Sequence, residues 1–194
     1  MARSRDISKV LSSNSTLATD AEVAASYAPI SSATFTHINS TSFTGSSSIA
    51  VDSVFSSTYR NYKIILDIDS TGGQTNIFFR FRNGSTTDTA SSYNYHFNGI
   101  SSTGVDIPLT ANGVTQWNLM QQANTTGFGD FTIFKPFEAS GKRIVGTISS
   151  GNNNYTYGNS WGGNYTSSTS FNGFILLPES FSITGVVRVY GIKN

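Results

Sequence analysis

The chain contains no cysteine. That excludes disulfides, thiolate catalysis and cysteine-based zinc sites. Histidine is scarce too, with His37 and His96 alone. Imidazole acid–base chemistry therefore has few candidates. Charge is sparse: Asp, Glu, Lys and Arg make up 12% of the residues, against roughly 25% in an ordinary domain. The net charge is +1, and the basic residues are scattered apart from Arg3, Arg5 and Lys9. Electrostatic capture of nucleic acid or anionic lipid needs clustered Lys and Arg, so no nucleic-acid partner is expected. No segment approaches the ~20 apolar residues that span a bilayer, and membrane insertion is not expected either. The opening "MARSRDISKVLSSNSTLATD" lacks the apolar run of a signal peptide. The expectation is a soluble chain with no obvious export signal.

What the sequence does have is β patterning. From Thr34 onward, polar and apolar residues alternate. "YRNYKIILDID" places Tyr62, Ile64, Leu66 and Ile68 on one face. "NIFFRFRNG" places Ile77, Phe79 and Phe81 on one face, and Phe78, Arg80 and Arg82 on the other. "SYNYHFNG" repeats the pattern with Tyr93, Tyr95 and Phe97. Shorter runs follow, down to "GVVRVYGI", which the spacing predicts to be a paired strand. Turn signals stand at Gly72-Gly73, Asn83-Gly84, Asn98-Gly99, Asn112-Gly113, Gly127 to Gly129 and Gly141. Such closely spaced short strands predict an all-β fold. A jelly-roll-like antiparallel β-sandwich over residues 33–194 is the expected architecture, with immunoglobulin-like Greek-key packing as the alternative. Aromatics at 13% supply the core bulk.

Residues 1–32 differ. Ile7, Val10 and Leu11 are spaced for two helical turns. Thr19 and Glu22 form a capping-box pattern, which predicts a short helix over about residues 20–27, ended by Pro29. Such pieces are too short to be stable alone. They read either as a frayed terminus or as an extended or short-helical arm that folds on docking. In the second reading Ile7, Val10, Leu11, Leu17 and Val23 are the docking side chains.

Catalytic constellations are hard to assemble. His96 alternates out of phase with Tyr95 and Phe97, which puts it on the polar face of its strand. Asp67 and Asp69 share a strand face, as calcium ligands could, but Phe78 stands where a calcium loop needs its bidentate acid. No metal and no cofactor are expected. Glu138 and Glu179 are a pair only if the fold brings their carboxyls within the about 5–10 Å of a glycosidase. Arg80 and Arg82 beside Phe78 read as a stacking surface or as solvated strand charge.

The stretch "SSGNNNYTYGNSWGGNYTSSTS" at residues 149–170 carries Tyr155, Tyr157, Trp161 and Tyr165 without a single charge. Disordered linkers are depleted in aromatics. The stretch is therefore expected to be an ordered loop or hairpin tip. Tyr, Trp, Asn, Ser and Gly together are the composition of adaptable binding loops. These four aromatics are the candidate contacts for a glycan or for a neighbouring subunit.

Taken together, "YRNYKIILDI", "NIFFRFRNG", "SYNYHFNG" and "ILLPESFSITGVVRVYGIKN" resemble the β-domain of tailed-phage virion proteins, especially those of marine and cyanobacterial phages. The opening "MARSRDISKVLSSNSTLATDAEVAASYAP" resembles the N-terminal segments of phage fibre and appendage proteins. The absence of disulfides leans the same way. The resemblance covers most of the chain and carries over no binding residues. It implies a non-enzymatic virion component on the particle surface, assembled in the host cytoplasm. Its partners would be capsid or tail proteins and further copies of the chain, often as a trimer; a host surface glycan is the further candidate partner offered by Tyr155, Tyr157, Trp161 and Tyr165. The chain has no long repetitive shaft, so a short tail appendage or a capsid decoration is expected rather than a long fibre.

Overall fold

The computed structural model describes residues 34–100, 104, 106–123, 126–151 and 156–193. The arm residues Ile7, Val10, Leu11, Leu17 and Val23 lie outside the described residues, as does Tyr155. The chain divides into two units, Met1–Ala33 and Thr34–Asn194, and the described strands all belong to the second.

Among the described residues there are strands and no helix, hence none long and apolar enough to cross a membrane. The strands are β1 (Phe35–Ser46), β2 (Ile49–Val51), β3 (Asn61–Thr71), β4 (Thr75–Asn83), β5 (Thr86–Thr87), β6 (Tyr93–Ile100) and β7 (Asp106–Val114). They continue with β8 (Trp117–Ala123), β9 (Gly127–Phe134), β10 (Lys142–Gly151), β11 (Thr156–Tyr165), β12 (Gly173–Pro178) and β13 (Ile183–Ile192). All pairings are antiparallel. An eight-stranded sheet runs β1-β13-β3-β9-β10-β11-β6-β7, and a smaller sheet runs β2-β12-β4-β5 with β8 also on β4. The fold is the expected antiparallel β-sandwich, with layers of unequal width.

The strands form for the reason their period of two indicates. On β3, Tyr62, Ile64, Leu66 and Ile68 are buried while their neighbours are not. On β4 the same holds for Ile77, Phe79 and Phe81. β13 alternates along its whole length and lies between β1 and β3, so the closing strand is paired on both edges.

The two inner faces meet in an aromatic core. Trp117 is fully buried there. It stacks on Phe79 at 5.4 Å and meets Phe81, Tyr93 and Trp161 edge-on at 5.2, 5.3 and 5.8 Å. Stacked and edge-to-face pairs at these distances are the favoured aromatic arrangements. Four of the polar tips are satisfied in place. Trp117 Nε1 donates to the Asn94 carbonyl at 3.1 Å, and Trp161 Nε1 to the Asn118 carbonyl at 2.8 Å. The Tyr93 hydroxyl accepts the Phe81 N–H at 3.0 Å, and the Tyr62 hydroxyl donates to the Ser56 carbonyl at 2.9 Å.

Three of the predicted turns are strands instead. Asn98-Gly99 lies within β6, Asn112-Gly113 within β7, and Gly127 to Gly129 open β9. The β9 glycines serve packing rather than turning. A Cβ on Gly127 would strike the Met120 side chain, and one on Gly129 the Phe131 ring. Gly72-Gly73 and Gly84 do sit between strands. The ring of Phe181, one of the exposed large apolar side chains, covers the first of these turns.

Candidate functional site

The expected aromatic loop is largely a strand. β11 pairs with β10 from Lys142↔Tyr165 to Gly151↔Thr156 and with β6 from Gly158↔Ile100 to Tyr165↔Tyr93. Only residues 152–155 are left for a hairpin tip, and they lie outside the described residues. Strand alternation divides the stretch into two chemistries. Trp161 is 3% exposed and Tyr165 1% exposed, both inside the sandwich. Trp161 stacks with Tyr95, and Tyr165 sits edge-on to Phe171. These two are core residues and present no ring to solvent for a ligand. Tyr157 lies in β11. The outward set is Ser160, Gly162 and Asn164.

That outward set forms the middle of a groove on the outer face of the large sheet, about 570 Å³ in volume. Register defines it as three cross-strand rows. Val145, Gly162, His96 and Thr110 form the central row. Arg143, Asn164 and Asn94 form the row on one side, and Ser160 and Asn98 belong to the other. With strands about 4.8 Å apart, Val145 and His96 stand about 10 Å apart across the missing side chain of Gly162.

The groove carries both polar and apolar groups and, in Arg143, a single fixed charge. His96 is exposed, as its phase predicts, and its Nδ1 lies 2.8 Å from Thr110 Oγ1. That contact fixes the ring and leaves the Nε2 edge as the other hydrogen-bonding position. Asn94 Oδ1 accepts the Gly113 N–H at 2.7 Å, which orients its amide. Val145, 48% exposed, is the apolar wall. Arg143 is exposed and is in no ion pair among the described residues. No carboxylate lines the groove. Such a site can hydrogen-bond and hold one negative charge.

The remaining candidates are dispersed. Glu138 pairs with Arg60 at 2.9 Å, beside the start of β3. Glu179 accepts from Asn76 Nδ2 at 2.6 Å, beyond the other end of that strand. The 11 residues of β3 span about 35 Å, so the two carboxyls are not brought together. Asp67 faces Arg188 at 4.0 Å across strands. No three His, Asp or Glu converge as metal ligands among the described residues. Arg82 bridges to Asp52 at 2.7 Å and to Thr87 at 3.0 Å, so it serves its own sheet as a cross-strand tie. His37 lies edge-on to Tyr190 at 5.4 Å.

Sequence reasoning missed the groove because it joins two hairpins, β6–β7 and β10–β11, that are distant in the chain. No protein-family model matches the chain, and neither does any curated protein or solved structure.

Proposed function

We propose that this chain is a non-enzymatic structural protein of a tailed-phage particle, displayed on the surface as a short tail appendage or a capsid decoration and held there by residues 1–32. What supports the reading is where the resembling stretches fall. "YRNYKIILDI" makes β3, "NIFFRFRNG" makes β4, "SYNYHFNG" makes β6, and "ILLPESFSITGVVRVYGIKN" makes the end of β12 and all of β13. Each carries buried side chains of the shared core, so the resembling stretches belong to the scaffold of the sandwich. The partners would be capsid or tail proteins and further copies of the chain, as a trimer. Mass spectrometry of purified particles tests it. The expected result is the intact chain at stoichiometric copy number, and its absence from washed particles would sink the assignment.

A further inference from the structure

Gly162 is the unusual residue of the groove. A glycine inside a strand ordinarily marks a bulge, a tight bend or a close approach by another group. Its φ is outside the left-handed region. The register of β11 runs without a shift on both its edges. A Cβ added there would meet nothing within 4 Å. Its neighbour Gly163 shows the contrast: a Cβ there would lie 2.8 Å from the Asn94 carbonyl oxygen. Nothing within the described residues requires a glycine at 162, and its missing side chain leaves an open notch in the floor of the groove.

We propose that the notch over Gly162 is a binding subsite for an acidic oligosaccharide. The groups around it suit that chemistry. A sugar hydroxyl both donates and accepts, and so do the side-chain amides of Asn98 and Asn164. The guanidinium of Arg143 matches a carboxylate in a paired fork geometry. The Nε2 edge of His96 adds a further polar contact, and exposed Val145 offers an apolar wall to the C–H face of a ring. The volume of about 570 Å³ falls among small-ligand sites. The subsite is a property of the isolated chain and does not depend on the particle assignment.

The test is a glycan array carrying neutral, uronate-bearing and sialylated oligosaccharides, probed with the full chain. The expected result is retention on acidic members. Gly162→Leu, which fills open space, should abolish it without lowering the melting temperature. Arg143→Gln, at an exposed position, should weaken it roughly tenfold or more. Several results would overturn the proposal: no saccharide bound, neutral saccharides alone bound, or binding unchanged in Gly162→Leu. A fall in solution mass on Gly162→Leu, seen by light scattering, would also overturn it, assigning the notch to a second copy of the chain.

Discussion

Trp161 shows what a single residue's role becomes once its side is known. In a binding loop its loss would cost affinity and leave folding alone. Buried, with its N–H on the Asn118 carbonyl, it is part of the core. Trp161→Ala should cost about 3–5 kcal/mol of stability, the range for truncating a buried aromatic. Denaturant unfolding by fluorescence or circular dichroism measures it. Lys142 is a second such residue. It points inward at the start of β10 and is 1% exposed. Its Nζ donates to the Glu138 carbonyl at 2.8 Å and to the Ser140 carbonyl, and stands 5.5 Å above the Phe171 ring. It ties the loop before β10 to the aromatic core. Lys142→Met keeps the apolar stem but removes the ammonium donor from both carbonyls, leaving the Glu138 carbonyl with the Ser140 N–H alone. The expected loss is about 1–3 kcal/mol in the same measurement.

At the scale of the element, β11 separates two kinds of glycine. Gly162→Val should stabilise the fold by about 0.5–1 kcal/mol, because a β-branched residue replaces a flexible one in open space. Gly163→Val should destabilise by about 1–3 kcal/mol, because its side chain would press on Asn94, Trp161 and Trp117. Opposite shifts in melting temperature between adjacent substitutions check both. The same strand shows why parts of the sequence were legible and parts were not. β3, β4 and β13 alternate bulky apolar with polar residues, and that period alone marks them. β11 is built from Asn, Ser, Gly and Tyr, a composition shared with loops. Pairing on both edges makes it a strand, with β10 in a hairpin and with β6, which is non-local. Glycines misled in the same way at β6 and β9; in β9 the demand is for space beside Met120 and Phe131 rather than for a turn. Sequence could show that "GNSWGGNY" holds binding-type residues. It could not show that Trp161 and Tyr165 go in while Ser160 and Asn164 face out.

For the whole molecule, a core rich in tyrosine predicts how stability responds to alkali. Burial raises the hydroxyl pKa of Tyr93, Tyr165 and Tyr95 above the ordinary 10.0, and nearby Asp88 adds to the rise at the first two. Once pH passes 10.0, tyrosines in the unfolded chain lose their protons while these three keep theirs. The unfolded state then binds fewer protons, and stability falls as pH rises. Lys142 acts oppositely. Burial lowers its pKa below 10.5, so its contribution improves as pH climbs towards that value. The rise at Tyr93 is the large one and decides the sign, and the denaturation midpoint should drop progressively between about pH 9.5 and 11.5. Tyr93→Phe separates this cause from general alkaline damage. It removes the acceptor for the Phe81 N–H and should lower stability at neutral pH. It also removes one buried ionisable hydroxyl, so its midpoint should fall less steeply with pH than that of the unaltered chain. Parallel curves for the two would assign the alkaline loss to groups other than the core tyrosines.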